Sequence, residues 1–208
     1  MKPSIQEEIS TQEKRSVFLV LTGPSGAGKD TVLPLLQKSL PNVARIVTTT
    51  SRPIRPGESE GSPYHFVDRA EFEKRIADHR FFEWVEFRGN LYGTQKDEIE
   101  KALNSGSDVI LKIETKGVKN IKEKVRKMTD RAIFVFITTT DIKTLEERVK
   151  KTDNGDDINR WNESLVAWEM EQYDDCDYLV DNENGQLEKT VEKIKGIIET
   201  KRLQVINI

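Results

Sequence analysis

Apolar residues along the chain fall into short unbroken runs, separated by longer stretches in which they recur every three or four positions. Runs such as Val17-Phe-Leu-Val-Leu21 and Ile133-Phe-Val-Phe-Ile137 lack the alternation of a half-exposed strand, as expected of strands covered by helices on both faces. Strands are predicted at Ser16–Thr22, Val43–Thr49, Asp108–Ile113, Ala132–Ile137 and Asp177–Val180. Helices are predicted at Lys29–Ser39, Lys116–Lys127, Asp141–Lys151 and Gln186–Arg202. The rhythm is that of an α/β fold with a mainly parallel sheet. Pro34 lies inside the first helix and is expected to weaken or bend it.

Two stretches interrupt this rhythm. Pro53, Pro56, Gly57, Gly61 and Pro63 break up the chain between Thr50 and Pro63. Tyr64 to Val67 follows, then a helix opened by Asp68 with Glu71 three residues on, a capping-box pattern, then the run Phe81–Phe87. This reads as an inserted, partly antiparallel subdomain, about residues 48–94. The second stretch, Lys150–Arg160, is polar and turn-rich between two helices; it reads as a mobile flap or as an ordinary surface loop. Met1–Arg15 is polar and charged, a flexible arm.

Composition narrows the class. A chain of 208 residues suggests one domain carrying an insertion. Lys plus Arg number 33 against 36 Asp plus Glu, a net charge of -3, which argues against nucleic-acid binding through a large positive field. One cysteine, Cys176, excludes an internal disulfide and fits a reducing compartment. Its neighbours Asp174, Asp175 and Asp177 should disfavour the thiolate. No apolar run is long enough to cross a bilayer, and the start lacks the apolar core of a secretory signal. The expectation is a cytoplasmic protein without membrane or nucleic-acid partners. His65 and His79 are isolated and are assigned to no metal, and Trp161 and Trp168, seven apart, are expected to pack on one helical face.

The sharpest chemical signal is Gly23-Pro24-Ser25-Gly26-Ala27-Gly28-Lys29-Asp30, after a predicted strand and opening a predicted helix. Glycines let the backbone curl so that N–H groups point inward, and the helix N-terminus adds its dipole. Lys29 supplies a mobile cation for the outer phosphates of ATP, and the ATP-binding set runs from Gly23 through Thr31. The residue after the lysine, normally a Ser or Thr whose hydroxyl touches Mg²⁺, is Asp30, with Thr31 behind it. Asp30 is the candidate metal ligand, directly or through water. It also sets a negative charge beside polyphosphate.

From Thr48 the chain reads Thr-Thr-Thr-Ser-Arg52-Pro-Ile-Arg55-Pro-Gly-Glu, reaching Tyr64, and further on Phe-Glu83-Trp and Asn-Leu-Tyr92-Gly-Thr94. With the phosphate loop, these motifs resemble the guanylate kinases from about Ser16 to the final helix. The resemblance implies a P-loop kinase fold with an inserted nucleoside-monophosphate-binding subdomain and a helical lid, about residues 138–172. It also implies ATP-dependent, Mg²⁺-assisted phosphorylation of GMP, and of dGMP, to the diphosphate. By matching position, Arg52, Arg55, Tyr64 and Tyr92 hold the GMP phosphate, and Thr48, Glu83, Thr94 and Glu114 read guanine. The chemistry agrees: guanidiniums and phenols suit a phosphate dianion, and a carboxylate accepts guanine's adjacent N1–H and N2–H₂ together. Glu83 shares a strand face with Phe81, Val85 and Phe87. There it needs donors, which a base or a structural arginine would supply equally well.

The sequence departs from that family at two places. The family's Asp-Ile-Asp-x-Gln-Gly is Lys112-Ile113-Glu114-Thr115-Lys116-Gly117 here. Glu114 keeps a carboxylate, while Lys112 replaces an acidic residue; either it compensates Asp30 in charge, or the two changes are unrelated. In the lid, Leu145-x-x-Arg148 matches, but the next expected arginine falls on Thr152, with Lys151 one place away, and the following one is nearest to Arg160. Register returns at Glu169 and at Asp177–Asn182. The expected catalytic set is Lys29, Arg52, Arg148 and Arg160. Three alternatives stand beside this one. The first is a related kinase of another phosphate monoester, such as the ribose 1,5-bisphosphate kinases, some of which carry Gly-Lys-Asp. The others are a non-catalytic guanylate-kinase-like scaffold module, a class that typically loses the phosphate loop, and an ATPase needing no acceptor.

Overall fold

Strand β1 (Phe18–Thr22) is buried at all five positions because helices cover both of its faces. In the computed structural model, which describes residues 16–152 and 161–204, it is the middle of a five-stranded sheet. The order is β2 (Val43–Ile46), β7 (Asp108–Lys112), β1, β8 (Ala132–Thr138), β9 (Tyr178–Asp181), with every pairing parallel. The arm and the flap positions 153–160 lie outside the described residues.

Period-two alternation sorts the strand side chains between two apolar clusters. Val17, Leu19, Leu21, Ile133, Val135 and Ile137 pack with helices α1 (Lys29–Ser39), α5 (Ile142–Thr152), α6 (Glu163–Glu171) and α7 (Leu187–Leu203). Phe18, Val20, Val109, Leu111 and Phe134 pack with α3 (Lys96–Leu103) and α4 (Val118–Met128). A doubly covered parallel sheet is what the unbroken apolar runs predict. Phe134 is fully buried, so truncating it to alanine should cost about 3–5 kcal/mol. Asp108 ties the first strand to the last helix: it accepts a hydrogen bond from the Val17 N–H at 2.9 Å and pairs with Arg202.

A second, four-stranded sheet is ordered β4 (His65–Phe66), β3 (Thr49–Thr50), β6 (Asn90–Gln95), β5 (Phe81–Phe87). Its β3–β4 pair is parallel and its other two pairs are antiparallel. Helix α2 (Arg69–Ala77) is capped by Asp68, whose side chain accepts from the Glu71 N–H, as the sequence predicts. Phe72 of α2 stacks on Phe81 at 4.4 Å between ring centroids.

The predicted strand Val43–Thr49 is not continuous. Ile46 pairs with Leu111 in the first sheet and Thr49 with Gly93 in the second, so the chain changes sheets at Val47-Thr48. The helix predicted from Lys116 opens as a single 3₁₀ turn, Thr115–Gly117, before α4 begins. Pro34 does not end α1, which runs to Ser39. Trp161 precedes α6, whose N-cap is Asn162, so Trp161 and Trp168 share no helical face. Trp161 packs against the core while Trp168 is exposed. Among the described residues no helix is long and apolar enough to cross a membrane.

Candidate active site

The phosphate loop leaves the C-terminal end of the central strand, where open α/β sheets bind their ligands. Its curvature is sterically enforced. Gly26 has φ +81°, and a Cβ there would lie 2.5 Å from the Leu145 carbonyl oxygen; at Gly23 the Ile137 carbonyl stands closer still. Gly28, also left-handed, is the N-cap of α1, whose first N–H groups have no partners within the helix. Asn182 braces the loop from β9's end by donating to the Ala27 carbonyl at 2.8 Å, while the Thr190 hydroxyl donates to its Oδ1 at 3.1 Å. Lys29 Nζ donates to the carbonyls of Gly23 at 2.6 Å and Pro24 at 3.0 Å. The cation is thus held over the loop's own rim.

Across from the loop, Thr48, Tyr64, Glu83, Tyr92 and Glu114 line one pocket, together with Val85, Gly93, Lys112 and Ile113. Four segments build it: the crossing between sheets, the residue leading into β4, the β5–β6 hairpin, and the end of β7. The alternation read from sequence holds in β5, with Phe81, Glu83, Val85 and Phe87 buried and Trp84 and Glu86 exposed. Glu83 Oε1 accepts from the Thr94 hydroxyl at 2.7 Å. Its Oε2 lies by the 3₁₀ turn, where a Cβ on Gly117 would be 3.2 Å away. Among the described residues Glu83 pairs with no arginine, so the structural salt bridge considered above is absent there. Burial pushes the Glu83 carboxyl up to about 7, against the pull of the Thr94 hydrogen bonds. A buried carboxylate with one short partner is poised to accept further N–H donors.

The phosphate-holding candidates gather at the other end of this pocket. The Arg52 guanidinium stands 5.5 Å from the Tyr64 ring centroid, and the Tyr64 and Tyr92 rings are 5.9 Å apart. Arg52 also makes a two-pronged pair with Glu58, at 2.8 and 3.0 Å. Burial works against its charge, but Glu58 more than offsets this and holds its pKa above the ordinary value. Glu58 accepts from the Arg55 N–H as well, at 2.9 Å. The Glu58 carboxylate thus ties together the first half of this broken loop.

In the lid region Arg148 crosses to the phosphate loop. Its guanidinium donates to the Asn182 carbonyl at 2.7 Å, to Asn184 Oδ1 at 2.9 Å and to the Gly26 carbonyl at 3.4 Å. Arg160 falls outside the described residues. Asp30, at the loop's end, is 2.5 Å from Lys112 Nζ, so of the two readings the sequence left open, the structure has the one in which the charges pair. Crowding by protein raises the Asp30 pKa, but Lys112, with Lys29 and Arg45 behind it, brings it below the usual range.

Glu169 of α6 is a feature whose environment the sequence does not reveal. It is buried, and neither carboxylate oxygen is hydrogen-bonded among the described residues. Burial pushes it up to about 7, against the pull of Lys29 and of the nearby Ser25 N–H. Only its return to family register in the sequence marks it. Cys176 is pushed up to about 12, by burial and then by Asp177, so its thiol stays protonated as expected.

The family model for guanylate kinase matches residues 15–201. The guanylate kinase of Carboxydothermus hydrogenoformans is 37% identical over 191 residues, 91% of each chain. That of Thermotoga maritima is 36% identical over 190 residues, 90% of this chain and 88% of its own. Among solved structures, guanylate kinase from Anaplasma phagocytophilum superposes with a TM-score of 0.74 at 27% identity, covering 91% of this chain and 88% of that one. Motifs, sheet order and relatives over nine-tenths of the length agree, and the chain belongs to the guanylate kinase family.

Proposed function

We propose that this chain transfers the γ-phosphoryl group of ATP to GMP, or to dGMP, giving ADP and the diphosphate. The observation that carries the reading is the single pocket in which Glu83, braced by Thr94, and Glu114 face the same space as Tyr64 and Tyr92. Carboxylates at one end suit guanine's N–H edge, and phenols beside Arg52 and Arg55 suit a phosphate dianion. A sugar bisphosphate has hydroxyls but no adjacent pair of ring N–H donors for those acids to accept together.

The acceptor is already an anionic phosphate oxygen, so no general base is needed; catalysis rests on alignment and charge neutralisation. Lys29 turns from its own loop carbonyls to the outer phosphates of ATP, the loop N–H groups cradle them, and Asn182 keeps the loop in shape. Arg52 exchanges Glu58 for the GMP phosphate. Arg148, joined in this reading by Arg160, neutralises charge developing on the phosphoryl group in transit. For Mg²⁺ the protein's donor set is thin: Asp30 Oδ1 is taken by Lys112, and no cluster of three or more His, Cys, Asp or Glu stands among the described residues. That fits an ion held chiefly by phosphates and water, with Asp30 as an outer contact. When bound, it supplies charge neutralisation at the donor phosphates. The single, protonated cysteine accords with action in the cytoplasm.

The test is ADP release in a coupled assay with GMP, dGMP, AMP, UMP and ribose 1,5-bisphosphate, with Lys29→Ala as control. GMP and dGMP should be preferred, and Lys29→Ala should remove nearly all turnover. Preference for a non-guanine acceptor, or ADP release independent of any acceptor, overturns the reading.

A further inference from the structure

One side chain joins the phosphate loop to the acceptor pocket. Lys112 ends β7, opposite Leu21 in the register with β1, and is only 5% exposed. Its Nζ lies 2.5 Å from Asp30 Oδ1 and 3.0 Å from the Tyr64 hydroxyl oxygen. The family's acidic residue at this position could make neither contact in the same sense.

Hydrogen-bond direction decides what this does. An ammonium has three N–H donors and no lone pair, so Lys112 donates in both contacts. Tyr64 Oη spends a lone pair on Lys112, which leaves its own O–H free to donate elsewhere. Burial, helped by Glu114 and Asp30, pushes the phenol up to about 12 against the pull of Lys112, so that hydrogen is present at neutral pH. Tyr64 lines the pocket proposed to hold the acceptor phosphate, and a phosphate oxygen is the acceptor such a hydroxyl would meet.

Charge points the same way. Asp30 is exposed while Lys112 is buried, so the pair is anchored at its solvent edge and the cation faces inward. Arg45 acts on both Asp30 and Tyr64, and its guanidinium is fixed by donating to the Pro63 carbonyl at 2.6 Å. Lys112 and Arg45 thus stand with two carboxylates, Asp30 and Glu114, around the Tyr64 hydroxyl; without Lys112 this patch would face an incoming phosphate with a net negative charge.

We propose that Lys112 is a positioning residue for the acceptor phosphate: anchored by Asp30, it fixes the Tyr64 hydroxyl as a donor to that phosphate and offsets the negative charge of Asp30 and Glu114 beside it. Asp30, on this account, serves the acceptor side as an anchor. The inference rests on the GMP reading of the pocket and deepens it.

The test compares GMP with guanosine, which differ only by the phosphate, in calorimetric titrations of the parent, Lys112→Met, Tyr64→Phe and the double variant, with KM for GMP and for ATP measured alongside. Lys112→Met should weaken GMP binding about tenfold to a hundredfold, with guanosine binding and KM for ATP within about twofold of the parent. Tyr64→Phe should do the same. The double variant should lose clearly less than the sum of the two singles, since the hydrogen bond donated by Tyr64 is lost only once. If Lys112→Met does not fold, Lys112→Met with Asp30→Asn, neutral as a pair, carries the same expectations for GMP against guanosine binding. Lys112→Met binding GMP as tightly as the parent, losing GMP and guanosine affinity alike, or adding fully to Tyr64→Phe overturns the role of Lys112 and leaves the GMP reading intact. A parent protein that binds neither GMP nor guanosine overturns both.

Discussion

Replacing Glu83 by glutamine should move base recognition and stability in opposite directions. Glu83 is 6% exposed, and burial lifts its pKa from 4.5 to about 7. The folded protein therefore binds the proton more tightly than the unfolded chain, so stability from this group is full below pH 4.5 and is lost as pH rises to about 7. At pH 8, holding the ionised form in the fold costs about 3 kcal/mol. Glutamine keeps an oxygen for the Thr94 hydroxyl and carries no charge, so Glu83→Gln should gain a large part of that amount at pH 8 and little at pH 4.5. For guanine the change is adverse. One carboxylate acceptor becomes an NH₂ donor facing a base N–H, which loses a charge-assisted bond and leaves donors opposed. Together these cost about 3–4 kcal/mol, so kcat/KM for GMP should fall by about two to three orders of magnitude. The assays are urea unfolding at pH 4.5 and 8, and initial rates with GMP. A variant that turns over GMP within threefold of the parent, or whose urea midpoint at pH 8 falls below the parent's, refutes the reasoning.

Other expectations follow from the same geometry. Guanosine binding requires the ionised Glu83 and should release close to half a proton at pH 7, seen as a buffer-dependent binding heat; a heat independent of buffer between pH 6 and 7 would contradict the assignment. Gly26→Ala puts a Cβ against the Leu145 carbonyl at φ +81°, so stability should drop by more than about 1 kcal/mol and KM for ATP should rise, read by thermal melts and kinetics; an unchanged melt argues against this loop shape. Glu169, buried without a hydrogen bond to its carboxylate among the described residues and lifted to about 7, should gain stability as Glu169→Gln above pH 7 and not below 4.5; equal gains at both pH values would count against its buried charge.

What could be read from the sequence was what local physics dictates. The phosphate loop is legible because left-handed glycines at 23, 26 and 28 and the following helix are a local steric solution. Asp68 with Glu71 announced its helix for the same reason, and alternation in Phe81–Phe87 placed Glu83 inward. Features set by tertiary partners were not legible. Thr48 and Thr49 continue a good strand pattern, yet the chain leaves one sheet for another there because Gly93 waits to pair with Thr49. Lys96–Leu103 has only Ile99 and Ala102 buried, too few apolar positions to stand out as a helix. The sequence raised the Asp30–Lys112 pairing only as one of two options, since residues 82 apart meet only through the parallel register of β1 and β7. Nothing local to Glu169 shows that its carboxylate is buried.

The central claim is that one pocket holds a purine monophosphate by its N–H edge at one end and its phosphate at the other. A crystal structure of the protein with GMP bound tests it most directly. The account predicts guanine N1 and N2 within hydrogen-bond distance of Glu83 or Glu114, with the phosphate meeting Arg52, Tyr64 and Tyr92. A base turned away from both carboxylates, or GMP bound only elsewhere on the protein, would contradict it.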